Sequence, residues 1–186
     1  MTITTSASTP TGTSTVTVTG TGASATHSTT VSLTVNPSGG GTGITNGGFE
    51  SGSFTGWTTS GSTSIVSSGA HGGTYAARVG STSPTNGDSS AAQTFTAPTG
   101  ATTLSFWYNV VCPDTITYDW ATATLKDNTT GTTTTPLAKT CTNTGTYKQV
   151  TASITAGHSY TLTLISHDDN YAGDATYTFY DDVLVQ

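Results

Sequence analysis

Thr102-Thr103-Leu104-Ser105-Phe106-Trp107-Tyr108-Asn109-Val110-Val111 alternates in character residue by residue. In a β-strand successive side chains point to opposite faces. Leu104, Phe106, Tyr108 and Val110 therefore share one face, and Ser105, Trp107 and Asn109 the other. The same reading extends outward. Tyr160, Leu162 and Leu164 alternate with Thr161, Thr163 and Ile165, and Tyr177, Phe179, Asp181, Val183 and Val185 are expected to share an inward face. Strands are expected over 44–50, 63–67, 74–80, 91–96, 102–111, 116–126, 147–154, 159–167 and 176–185, with turn residues between them. The fold class is all-β, with the rhythm of a sandwich.

The composition agrees. Of 186 residues 48 are Thr and 22 Ser, while only 8 % are charged. A typical domain carries about 25 % charged residues, so hydroxyls stand here where charge usually does. Disorder does not follow, because five Phe, eight Tyr and three Trp accompany many β-branched residues that can bury one face of each strand. A net charge of −6 argues against a nucleic-acid partner, which needs clustered Lys and Arg. No apolar run reaches the roughly 20 residues of a membrane-spanning helix, so membrane insertion is not expected.

Asn36-Pro37-Ser38-Gly39-Gly40-Gly41-Thr42-Gly43 divides the chain. Pro offers no ladder amide and glycine imposes no backbone preference, so 37–43 reads as a Gly-rich linker. Before it, Val16 and Val18 in one run and Val31, Leu33 and Val35 in another alternate with Thr and Ser, giving a hairpin within residues 1–36. After it, 44–186 is the folded domain. Cys112 and Cys141 lack metal spacing; they read as a disulfide closing a loop worth roughly 3–4 kcal/mol, with two buried free thiols as the alternative. A disulfide implies an oxidising compartment, hence a secreted, extracellular protein. Met1-Thr2-Ile3-Thr4-Thr5 shows neither the basic nor the apolar region of a signal peptide. The expectation is therefore a fragment, with Met1 a start codon added for expression.

Thr45-Asn46-Gly47-Gly48-Phe49-Glu50-Ser51-Gly52, followed by Phe54-Thr55-Gly56-Trp57, resembles the opening of jelly-roll carbohydrate-binding modules from secreted bacterial hydrolases. The similarity continues at Ala70 to Val79, at Leu104 to Tyr108, and at Phe179-Tyr180-Asp181-Asp182-Val183. Residues 6–37 likewise resemble the last two strands of an immunoglobulin-like repeat. The resemblance implies a jelly-roll β-sandwich with an N-terminal β-hairpin extension. It also implies a structural Ca²⁺ joining the first and last strands, held by Glu50, by Asp181 or Asp182, and by backbone carbonyls around His71 to Gly73. Gly72 departs from the Ser the family often has there, which leaves a backbone ligand in place. Independently, a carboxylate at Asp181 on an inward face needs a cation or several hydrogen bonds. Solvated acidic residues at strand ends, partnered by Arg78 or Lys148, are the alternative.

Sugars bind against flat aromatic rings flanked by groups that take hydroxyls. Trp107, Tyr118, Trp120 and Tyr171 lie off the expected core face, and Asp119, Asp169 and Asn170 accompany them. Trp120 leads because Asp119 and Thr122 make its setting polar; Trp57 reads as core. Asp168-Asp169-Asn170 with Asp174 has a spacing that resembles an oxygen-rich calcium loop but fits no EF-hand pattern. These residues, and Asp114 with Asp119, are read as turn residues bonding their own backbone, and with Tyr118, Trp120 and Tyr171 the two loops are expected to give an aromatic, acidic rim. Catalysis finds little footing. There is one glutamate, and His27, His71, His158 and His167 lack the spacing of a zinc helix. No nucleophile elbow occurs. The expectation is a non-catalytic, carbohydrate-binding accessory module, probing a polysaccharide or cell-surface glycan as partner. The alternative is an extracellular assembly subunit that self-associates by strand addition through residues 12–36.

Overall fold

The computed structural model describes residues 12–35 and 43–186; the expected linker, apart from Gly43, lies outside the described residues. The chain falls into two units, Met1–Ser38 and Gly39–Gln186. In the first, β1 (Gly12–Thr21) and β2 (Thr26–Val35) form a two-stranded antiparallel sheet in which Val16 faces Val31 and Ser14 faces Leu33. Gly22 donates to the Ala25 carbonyl at 2.8 Å to close the turn. This is the expected hairpin.

The second unit is a sandwich of two five-stranded sheets. Its strands are β3 (Thr58–Ser60), β4 (Thr63–Val66), β5 (Ala76–Gly80), β6 (Asn86–Thr96), β7 (Thr103–Val111), β8 (Trp120–Asp127), β9 (Thr133–Thr140), β10 (Lys148–Ser153), β11 (Ser159–Asp169) and β12 (Tyr177–Val185). One sheet runs β10-β7-β12-β5-β4 and the other β3-β6-β11-β8-β9. Leu104, Phe106 and Val110 of β7 meet Leu162 and Leu164 of β11 in the buried core, as alternation required. Tyr180 joins the sheets through a polar contact. Its hydroxyl is 2.7 Å from the Ile165 carbonyl and 3.0 Å from that of Thr122, and burial holds it far above the ordinary tyrosine range, so it stays a donor.

Four expectations need correction. Residues 44–50 are turns, not a strand: Asn46 and Phe49 hold φ of 52° and 57°, and the Asn46 side chain bonds Ser51 N and Ser53 O. Residues 116–119 form a turn on the Thr115 carbonyl, so β8 starts at Trp120. β3 and β9 were not expected. Both are edge strands, and β9 carries Pro136, which an edge tolerates because its amide side need not pair.

The fourth correction matters for the site. Asp181 pairs with Trp107, on the outer side of its sheet with Phe179. Asp182 then takes φ of 47°, and the ladder shifts before Leu184 pairs with Ser105. This bulge inserts a residue and flips the parity, so Val183 and Val185 are core while Tyr177, Phe179 and Asp181 are not on their face. Asp181 is nevertheless fully buried, because the loop at His71 and Gly72 covers it.

The β8–β9 turn shows how one charge organises a polar surface. Asp127 accepts Thr129 N at 2.9 Å and Thr130 N at 3.2 Å, and its other oxygen lies 2.8 Å from His158 Nδ1. Partial burial pushes its pKa up, but His158 and the two amides outweigh that and bring it down to about 2. A depressed carboxylate stabilises the fold above its unfolded pKa of about 3.9 and loses that contribution as pH falls toward the folded value. Asp127→Asn is therefore expected to lower Tm near neutral pH, with the gap from wild type closing between about pH 4 and pH 2. Thermal melts across that range check it; a gap independent of pH would refute the assignment.

Candidate functional site: two acidic clusters and an aromatic cleft

Glu50, His71, Gly73, Asp181 and Asp182 do come together, at the face of the sheet containing β12. The left-handed backbone at Phe49 buries its ring and sends Glu50 outward, where Oε1 accepts Thr74 N and Tyr75 N, each at 2.9 Å. Asp181 Oδ2 accepts His71 N at 2.8 Å and Gly72 N at 3.1 Å, while Oδ1 accepts Asp182 N at 2.8 Å. Asp182 Oδ2 lies 2.7 Å from His71 Nδ1. Burial pushes the Asp181 carboxyl up to about 6, with the Asp182 charge adding to it and the three amides opposing.

The carboxylates sit against glycine backbone. A Cβ on Gly73 would lie within 2.8 Å of both Glu50 oxygens, and one on Gly72 2.6 Å from Asp182 Oδ2. Around Gly48, Asp182 Oδ1 and Asp181 Oδ1 are both within 4.0 Å of where a Cβ would be. Three carboxylates thus crowd one backbone cradle, and among the described residues no Lys or Arg nitrogen is within 4.0 Å of a carboxylate oxygen. The donor types suit a hard, oxygen-seeking cation, but the three carboxylates do not bring one oxygen each within 4.8 Å of one another.

The aromatic candidates separate. Trp107 lies under His71, ring centroids 4.0 Å apart at 17°, and belongs to this first cluster. Trp120, the leading sequence candidate, is not an open platform. His167, its cross-strand partner on β11, stacks on it at 3.9 Å and 3°, and Lys139 Nζ stands 3.2 Å from the ring centroid. Groups that close to one centroid cannot share a face, so both faces are covered. Asp88 completes the row, 2.6 Å from His167 Nδ1.

Tyr118 and Tyr171 are the open rings, 56 % and 67 % exposed. They flank a cleft of about 290 Å³ whose remaining walls are Asp114, Asp169 and Asp174. The topology builds it. Asp114 follows the end of β7, Asp119 precedes β8, Asp168 and Asp169 end β11, and Asp174 precedes β12. The His167–Trp120 register brings Asp119 beside the end of β11, where its Oδ1 accepts Asp169 N at 2.8 Å. Asp168 falls on the inward parity of Leu162, Leu164 and Ser166 and is buried, with Thr85 N and Oγ1 on one oxygen. Asn170 is in the same loop, exposed, at φ of 69°.

The turn reading of these aspartates holds only for Asp169, whose Oδ1 accepts Tyr171 N at 2.9 Å. Asp119 and Asp168 are buried and serve no such local turn. Burial raises the Asp119 carboxyl, and burial together with Asp114, Asp169 and Asp119 raises that of Asp174. Cys112 and Cys141 are bonded, as expected, and Cys141 Sγ touches the Asp114 carbonyl at 3.0 Å.

No protein-family model matches the sequence, and no curated relative does. Solved structures do match. The module TmCBM61 in complex with β-1,4-galactotriose is 20 % identical with a TM-score of 0.56, the match covering 77 % of this chain and 96 % of that one. A family 16 carbohydrate-binding module is 18 % identical with a TM-score of 0.54, covering 77 % and 98 %. The CBM22-1 xylan-binding domain of Paenibacillus barcinonensis Xyn10C is 15 % identical with a TM-score of 0.50, covering 75 % and 90 %. At these identities the likeness is one of fold: the chain carries the jelly-roll β-sandwich of carbohydrate-binding modules.

Proposed function

We propose that residues 44–186 are a non-catalytic carbohydrate-binding module of a secreted protein, and that a polysaccharide or cell-surface glycan binds between Tyr118 and Tyr171. The cleft is the observation that carries this reading. Two exposed rings can cover the apolar C–H faces of a sugar, while Asp114, Asp169 and Asp174 accept from its hydroxyls. The fold shared with galactotriose- and xylan-binding modules supports it, as does a disulfide suited to an oxidising compartment. The cradle of Glu50, Asp181 and Asp182, with carbonyls near His71 and Gly73, would hold a structural Ca²⁺ that ties the 46–52 turns to β12.

Tyr171→Ala and Tyr118→Ala are each expected to weaken binding roughly tenfold, the loss of about 1.4 kcal/mol of ring contact. Glycan arrays followed by affinity electrophoresis on the best ligand measure this. Failure of the wild type to bind any glycan at saturation would end the proposal.

A second reading, an extracellular assembly subunit, draws on one feature. Among the described residues β1 and β2 form a two-stranded sheet, and Val31 is 46 % exposed. Each strand thus keeps an edge unpaired in that sheet, a template for strand addition. Light scattering of the full chain against 44–186 tests it: monomers of both at high concentration exclude it.

A further inference from the structure

We propose that the Tyr118–Tyr171 cleft binds Ca²⁺ at two carboxylate groups that share Asp169, one of Asp114, Asp119 and Asp169 and one of Asp168, Asp169 and Asp174, where the ion completes its coordination with adjacent hydroxyls of the bound sugar. This rests on the sugar-binding reading for its second half and on geometry alone for its first.

Oxygens on opposite sides of a Ca²⁺ are at most about 5 Å apart, since each bond is 2.3–2.6 Å. Among the described residues two groups meet that limit. Oxygens of Asp114, Asp119 and Asp169 lie within 4.8 Å of one another, as do those of Asp168, Asp169 and Asp174. Asp169 belongs to both. Glu50, Asp181 and Asp182 do not form such a group, so the tighter cluster is the one the chain's turn chemistry disguises.

Proximity of acids is common without an ion, but here a second observation points to one. Asp119 and Asp168 are 0 % and 1 % exposed, and each keeps one buried oxygen, Asp119 Oδ2 and Asp168 Oδ1, with no hydrogen-bond donor. Asp174 Oδ1 is in the same condition. An unpartnered carboxylate oxygen out of water is costly, and three in one cluster repel one another as well. No Lys or Arg nitrogen among the described residues is within 4.0 Å to neutralise them. Asp119 belongs to one group and Asp168 and Asp174 to the other, and a divalent cation in each answers the orphaned oxygens there.

The chemistry selects the ion. The groups contain carboxylates and neither His nor Cys, which favours a hard cation over zinc or copper. Mg²⁺ holds its waters and demands strict octahedral geometry, whereas Ca²⁺ accepts six to eight oxygens in an irregular cage. Three carboxylates in each group leave several of those positions open. Asp114, Asp169 and Asp174 line the cleft together with the two exposed rings, so an ion held by them borders the space a sugar would occupy. Neighbouring hydroxyls can fill them while the rings hold the C–H face.

The test uses the full chain and CaCl₂. Calorimetric titration is expected to show a Ca²⁺-binding class that weakens on the order of tenfold or more in Asp174→Asn and in Asp119→Asn, and that survives in Asp182→Asn and Tyr171→Ala. Asp174 is partly exposed, so its variant keeps the test open if Asp119→Asn does not fold. Glycan binding is expected to vanish in EDTA and return with Ca²⁺ but not with Mg²⁺. Calcium affinity unchanged in both cleft variants overturns the site. Glycan binding that persists in EDTA, with the Ca²⁺ class intact, overturns the hydroxyl coordination. A Ca²⁺ class removed by Asp174→Asn in a protein that binds no glycan sinks the sugar reading and leaves the metal site standing.

Discussion

Phe49→Ala is expected to lower the unfolding free energy by roughly 3–5 kcal/mol, the range for deleting a fully buried ring. Phe49 is 0 % exposed and packs on Trp57, with centroids 5.2 Å apart, and on Phe54 at 6.0 Å. Its left-handed φ of 57° costs Ala much as it costs Phe, so that strain cancels in the comparison and the cavity remains. Nor can the site collapse easily. The Gly47 carbonyl accepts Val183 N at 3.0 Å, and a Cβ at Gly47 would collide with the Val183 carbonyl, so the 46–52 turns are pressed against β12 with no slack. Each kcal/mol shifts Tm by about 2–4 °C in a domain of this size, so a fall on the order of 10 °C should appear in a melt. A urea titration should show the midpoint lowered with its slope unchanged. A loss under about 1 kcal/mol would mean the ring closes nothing, contrary to its burial.

The same turns show what the sequence could and could not disclose. Asn46-Gly47-Gly48 is turn chemistry, yet Ile44 and Phe49 around it invited a strand. The conflict is settled by Asn46 bonding Ser51 N and Ser53 O, a local closure that alternation does not register. β7 and β11 were legible because both bury one face against the opposite sheet. β3 and β9 were not, because β3 is exposed throughout and β9 buries only Leu137, so neither edge strand needs alternation and Thr serves nearly everywhere. In β12 a period-2 reading held until Asp182, where one inserted residue reversed it.

Candidate residues divide along the same line. Grouping Glu50 with Asp181 and Asp182 came from a resemblance in the order of motifs. Trp120 looked open because its neighbours in sequence are polar, but the groups that cover it arrive from residue 167 on the partner strand and from residue 139 on the next. Asp168 was within reach: it continues the inward parity of Leu162, Leu164 and Ser166, and a carboxylate there has no local turn to serve. What alternation alone could not supply was the geometry by which the β7–β8 and β11–β12 connections meet at one end of the sandwich.

Breaking the Cys112–Cys141 bond is the second large effect, because it acts on the unfolded chain and on the cleft together. Closing a loop of sequence separation 29 removes conformational freedom from the unfolded state, for roughly 3–4 kcal/mol in the chain-entropy account. A fall in Tm on the order of 10 °C on adding a non-thiol reductant follows from that figure. The bridge also joins the end of β7 to the segment after β9, and Cys141 Sγ rests on the Asp114 carbonyl. Asp114 is therefore held in place by the bond that closes the loop. Once it is reduced, Asp114 should drift from Asp119 and Asp169, and Ca²⁺ affinity at the cleft should fall even at temperatures where the sandwich stays folded. Calorimetric melts and CaCl₂ titrations, each with and without reductant, separate the two consequences. Cys112→Ser/Cys141→Ser should reproduce both and no longer respond to reductant. A melt lowered by reductant with cleft affinity unaltered would confine the bridge to stability and free Asp114 from any dependence on it.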